Sequence, residues 1–138
     1  MQINRAIIPN FYKLLQSQDA NDQVTAAKTL KEKINLLVEA SPSKSGPYFL
    51  GSEMSFVDIQ FAPWMIRFKR VLQPYRAWPD PEEGSRWKAW IDAIENNEFV
   101  KRTTSTDELY IESYERYAEN RPGTSQLADA VNGGGGLP

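Results

Sequence analysis

Apolar residues recur at steps of three and four along most of the chain, the spacing that gives a helix one greasy face. Between Ile3 and Leu15 they fall at Ile3, Ile7, Phe11 and Leu14, with Ile8, Tyr12 and Leu15 alongside. A first helix is predicted there, kinked at Pro9 or regular only after it, because Pro9 brings no N–H and crowds the carbonyl of Arg5. After a polar connection from Gln16 to Asp22, a second helix runs from about Gln23 to Ala40. Its buried stripe is Ala27, Leu30, Ile34, Leu37 and Val38, and Asn21 or Asp22 is its cap. Pro42, Gly46 and Pro47 forbid its continuation. The third helix is apolar at ten of the thirteen positions from Phe56 to Phe68, too many for one stripe, which places it at the centre of the domain. Ser55 and Asp58 have the spacing of a capping box at its start, and Met54 and Ile59 that of a hydrophobic staple. A fourth helix follows Pro79-Asp80-Pro81 with Trp87, Trp90, Ile91 and Ile94 on one face, and Phe99 and Val100 cover a nearby edge. A fifth begins at Ser105, with Glu108 as a second capping box, and presents Tyr110, Tyr114 and Tyr117. No strand pattern or repeat interrupts this order. The expected fold is all-α, about five helices around a buried central one over residues 1–120, followed by a flexible Pro/Gly-rich tail over 121–138.

Composition narrows the function. The 138 residues are 41% hydrophobic and 25% charged, which suits one globular core. A net charge of −2 without a clustered basic patch argues against nucleic acid. No apolar run approaches the ~20 residues that cross a bilayer, and the first residues are not ordered like a signal peptide, so a cytoplasmic protein with no membrane association is expected. The chain has no cysteine and no histidine. Thiolate nucleophiles, Ser-His-Asp constellations, Cys/His zinc sites and disulfides are thereby excluded, and no calcium-loop motif is present, so no metal site is expected.

Few side chains suggest chemistry. Ser55 and Asp58 are read as a structural cap, and Trp87 and Trp90 as core. The stripe Tyr110, Tyr114, Tyr117 suits either a core or a pocket with wet hydroxyls. Arg67, Lys69, Arg70 and Arg76 form a small basic cluster on a solvated helix face. Within it Arg67 stands apart, since a cation in a greasy helix must find a partner or an opening to water.

Tyr48-Phe49-Leu50-Gly51, then Ser55-x-x-Asp58, Pro63-Trp64, and Trp87 and Trp90 on the next helix together resemble the C-terminal helical domain of glutathione transferases, from about Gln2 to Asn120. Phe11-Tyr12-x-x-Leu15, Ser55-Phe56-Val57-Asp58 and Thr104-Ser105 resemble the omega class and its fungal relatives. The resemblance implies a wall of the pocket for an apolar electrophilic co-substrate, with Arg67 and Tyr110 lining it and Phe11 and Tyr12 facing the same cleft. Tyr110 stands where a tryptophan is common. No strand run precedes Ile3, so the thioredoxin-like domain that carries the glutathione contacts and the catalytic residue is expected to be absent. This chain would then hold no cofactor and no catalytic residue, glutathione being the co-substrate of the full enzyme. The implied partners are a thioredoxin-like domain or protein, an apolar electrophile and, as one option, a second copy in a homodimer. The rival expectation is a non-catalytic interaction module of the same fold.

Overall fold

The computed structural model describes residues 2–134, with side chains from residue 6 onward. The side chain of Ile3 and the last glycines of the tail lie outside the described residues. Helix α1 spans Gln2–Gln16 and runs unbroken through Pro9. Its inner face seats Ile7, Phe11, Leu14 and Leu15, all almost fully buried. Helix α2, Ala20–Ala40, folds back along it and buries Ala26, Leu30, Ile34 and Leu37. Its cap is Asp19 rather than Asn21 or Asp22: the Asp19 carboxylate accepts the N–H groups of Asn21 and Asp22 at 2.9 and 3.0 Å. The helix therefore starts three residues earlier than its apolar pattern indicates.

Residues 41–55 have no regular structure but are firmly anchored. Arg86 donates to the carbonyls of Ser43 and Tyr48 at 3.2 and 2.6 Å. Gly46 packs directly on Gly51, where a Cβ would come 2.6 Å from its backbone, so no side chain fits. Helix α3, Phe56–Arg67, then begins at Ser55. Asp58 is completely buried and accepts four hydrogen bonds, from Ser55 N (2.7 Å), Ser55 Oγ (2.8 Å), Phe49 N (3.0 Å) and Trp90 Nε1 (2.7 Å). The expected cap thus also bolts α3 to the preceding loop and to the helix bearing Trp90, and four donors meet the cost of burying a carboxylate. Phe61, Ala62, Met65 and Ile66 face the core, but Phe56 and Ile59 are 70% and 59% exposed. The helix is central as its apolar run predicts, but it is not enclosed: α3 has an open apolar edge.

Beyond Arg67 the helix widens into one π-turn, Phe68–Leu72, closed by Gln73 N–H on the Phe68 carbonyl, and continues as the short α4, Gln73–Arg76. Pro74 has no N–H to offer Arg70, and its ring would crowd that carbonyl in a regular helix, which favours the widening. Helix α5, Arg86–Asn96, buries Trp90, Ile91 and Ile94. Its cap is Ser85, not the Pro79-Asp80-Pro81 stretch. Asn97 closes α5 and opens a short α6, Glu98–Thr103. Helix α7, Asp107–Ala118, is capped by Thr106, one residue beyond the expected Ser105.

Two further findings depart from the sequence pattern. Ser125 caps a helix α8, Gln126–Asn132, within the stretch that reads as a tail. It packs on α1, burying Ala128 and placing Gln16 Nε2 3.1 Å from the Ala128 carbonyl. Arg76, expected on a solvated face, instead donates to the carbonyls of Leu14 (3.1 Å), Leu15 (2.5 Å) and Ala118 (2.7 Å), closing the C-terminal ends of α1 and α7 together. Burial lowers its pKa from the ordinary arginine range. The five expected helices are all present as α1, α2, α3, α5 and α7, and the described residues contain no strand. No described helix is long and apolar enough to cross a membrane.

Candidate functional site

A cleft of about 970 Å³ opens between α3 and α7. Its α3 wall follows one helical stripe, Ile59, Pro63 and Ile66 with Arg67 beside them. The α7 wall is the matching stripe Tyr110, Ser113, Tyr114 and Tyr117, with Leu109 at the mouth. Tyr12 of α1 also lines it. The third side comes from Asn97, from Phe99, Val100 and Thr103 of α6, and from Thr104 and Ser105 after it.

Arg67 is fixed in this space by its own surroundings. Its Nε donates to the Tyr114 hydroxyl at 2.6 Å and its Nη1 to the Pro63 carbonyl at 2.8 Å. The guanidinium carbon lies 5.4, 5.5 and 5.8 Å from the ring centres of Trp64, Tyr110 and Tyr114, within cation–π range of all three. Aromatic faces replace a carboxylate here: among the described residues Arg67 joins no ion pair. Among the described residues it is also the one charged side chain in the cleft lining.

Tyr12 and the α7 tyrosines form a continuous ring cluster, with Tyr12 to Tyr117 at 5.4 Å and Tyr114 to Tyr117 at 5.7 Å. Burial, then the adjoining Tyr114 and Tyr117, push the Tyr12 phenol well above the ordinary tyrosine range, with Arg67 pulling weakly the other way. Tyr12 is therefore a neutral hydroxyl at any physiological pH. Tyr117 shares a 2.9 Å hydrogen bond with Ser125, tying the end of the stripe to α8.

Of the four residues expected at a pocket, Tyr12, Arg67 and Tyr110 meet in this cleft. Phe11 does not reach it. It is wholly buried behind the wall, edge-on to Tyr12 (5.2 Å), Trp64 (5.5 Å) and Tyr114 (6.2 Å), as the aromatic hub of the core. Ile59, Pro63 and Ile66 were not singled out as lining, although their spacing of four and seven from Ile59 puts them on one face. The α6 contribution had no comparable signal, because Asn97 caps that helix directly after α5 without a turn. The cleft can hold an apolar, aromatic body and present one cation to it, but its lining offers neither a thiol nor an imidazole. Among the described residues no group of three or more acidic, His or Cys side chains is placed to bind a metal.

Comparison with known proteins places this geometry. Residues 18–93, more than half of the chain, match the family described as glutathione S-transferase, C-terminal domain. The glutathione S-transferase DHAR2 of Arabidopsis thaliana is 26% identical over 113 residues, covering 82% of this chain and 52% of that protein. The probable glutathione S-transferase DHAR1, cytosolic, of Oryza sativa is 26% identical over 108 residues, covering 78% and 49%. Among solved structures, the glutathione transferase Omega 3C from Trametes versicolor superposes with a TM-score of 0.72 at 34% identity, over 86% of this chain and 49% of that one. The chain spans about half the length of the curated relatives it matches. The matched family pattern, taken with an all-helical fold built around a buried, aspartate-bolted third helix, shows that the chain belongs to the glutathione S-transferase family, as a C-terminal domain.

Proposed function

We propose that this domain forms the co-substrate half of an omega-like glutathione transferase. The cleft between α3 and α7 receives an apolar electrophile, while a thioredoxin-like unit outside these residues holds and activates glutathione. The observation that carries this reading is the cleft itself, large, open and aromatic-walled, yet without a thiol or a histidine. The likeness to the Trametes versicolor omega protein supports the class. Phe56 at 70%, Ile59 at 59% and Phe99 at 72% exposure form an apolar border, with Ile59 and Phe99 in the cleft lining itself. Such a border fits the seat of a second unit, and about half of each relative lies beyond the matched region. A cytoplasmic setting is in keeping with the name of the Oryza sativa relative.

The test is calorimetric and kinetic. The 138-residue chain should show no glutathione isotherm at millimolar concentration and no turnover with a standard electrophile, yet bind apolar aromatic ligands in the cleft. Supplying a thioredoxin-like unit from an omega relative should restore turnover. Turnover by the chain alone would overturn the reading. The same apolar border also suits a protein partner, which sustains the interaction-module alternative. A discrete dimer or heteromer by light scattering, combined with an empty cleft, would favour that alternative.

A further inference from the structure

A second recess lies apart from the cleft and shares none of its lining residues. It opens between the π-turn, the irregular stretch 77–85 and α5, and encloses about 150 Å³. Its floor is the apolar trio Met65, Phe68 and Ile91, all buried. One wall is the half-buried Trp78, whose ring stacks on Phe68 at 5.8 Å and 28°. The rim is charged, with the carboxylates of Asp80, Glu83, Asp92 and Glu95 beside the ammonium groups of Lys69 and Lys88. Two of the four carboxylates are taken up inside the fold, Glu95 by Arg70 at 2.9 Å and Asp92 by Lys88 at 2.7 Å. The other two are not. Glu83 stands 3.8 Å from a lysine that Asp92 holds more closely. Asp80 accepts a hydrogen bond from the neutral amide of Gln73 at 2.7 Å, and among the described residues it joins no ion pair. Lys88 registers the resulting field: its hydrogen bond to Asp92, then the charges of Asp92, Glu83 and Asp80, raise its pKa from the ordinary lysine value against the pull of desolvation.

We propose that this recess receives one arginine side chain of a partner polypeptide. The volume selects a side chain, because it lies below the ~300–1,000 Å³ of sites that engulf a small molecule, so most of the occupant's bulk stays outside. The greasy floor suits a methylene stem, and the face of Trp78 suits a planar guanidinium. At the rim Asp80 and Glu83 supply the counter-charge, which the guanidinium fork meets with better geometry than the compact ammonium of a lysine. Because the two spaces share no residue, this docking stands or falls independently of what the cleft receives.

The test uses three probes: the acetylated, amidated peptide Gly-Gly-Arg-Gly-Gly, the same peptide with citrulline in place of arginine, and butylguanidinium. Each is titrated into the nitrogen-15-labelled chain while the indole N–H signal of Trp78, assigned through Trp78→Phe, is followed. The arginine peptide should shift that signal saturably and bind within about threefold of butylguanidinium. Citrulline keeps the shape and loses the charge, so its peptide should bind about tenfold more weakly. Asp80→Asn, at an exposed position, should weaken the arginine peptide about threefold. In the wild-type chain, added salt should weaken the arginine peptide and spare the citrulline one. Equal binding of the two peptides, or no saturable shift at Trp78 with either cation, would overturn the assignment. A recess that takes butylguanidinium but rejects the arginine peptide would be a small-molecule site, and the polypeptide partner would be overturned.

Discussion

Single side chains decide more of this domain than its length suggests, and Asp58 is the strongest case. Four donors from three residues converge on one buried carboxylate. Asp58→Asn keeps the volume but turns an NH₂ toward two of those donors. It should cost about 3 kcal/mol, read as a lowered midpoint in urea unfolding followed by tryptophan fluorescence. Tyr12 makes a prediction with a definite sign. Its phenol has a higher pKa folded than unfolded, so the folded state keeps a proton that the unfolded chain releases above about pH 10. The stability this contributes is whole below that pH and is lost as pH rises beyond it. Tyr12→Phe should therefore change stability by less than about 1 kcal/mol at neutral pH and flatten the alkaline decline in thermal midpoint. The Ser55-x-x-Asp58 spacing reveals the local half of the Asp58 cluster. Its bonds to Phe49 and Trp90 are not visible there, because nothing local in a sequence specifies a partner 32 positions away.

At the scale of elements, helix existence follows from apolar periodicity and helix ends do not. The five longer helices lie where their stripes predict, yet three caps fall elsewhere, at Asp19, Ser85 and Thr106. In each case more than one Ser, Thr, Asp or Asn precedes the apolar stripe, so the sequence offers alternative caps. The short helices α6 and α8 were missed for another reason. Each offers the core one buried side chain, Val100 and Ala128, too few to make a pattern. Helix α8 nonetheless has a cap and a docking site. Ser125→Ala removes the Oγ that accepts the Ala128 N–H and that pairs with Tyr117. It should cost about 1 kcal/mol and raise amide exchange selectively over Gln126–Asn132. Uniform loss of protection across α1 and α7 instead would mean that α8 is integral to the core.

For the molecule as a whole, the partition between a dense interior and a bare apolar border is the property that bears on function. The interior is aromatic and continuous from Phe11 through Phe68 and Trp87 to Trp90. The border at Phe56, Ile59 and Phe99 contributes little to that interior. Phe56→Ser with Phe99→Ser should leave the unfolding free energy within about 0.5 kcal/mol for each change, while reducing self-association of the isolated chain in light scattering. Family membership was readable from the ordered motifs between Tyr48 and Trp90, whereas the shape of the cleft depends on residues of α6, which has no apolar stripe of its own, and could be seen only in three dimensions. Arg76 gives the assembled domain one more property. The junction it makes between the first, fourth and seventh helices rests on carbonyl oxygens, which have no proton to gain as a solution is acidified. An ion pair, by contrast, depends on an ionised carboxylate on one side. Acidification should therefore dismantle the domain unevenly, with the corner gathered by Arg76 outlasting the paired surface.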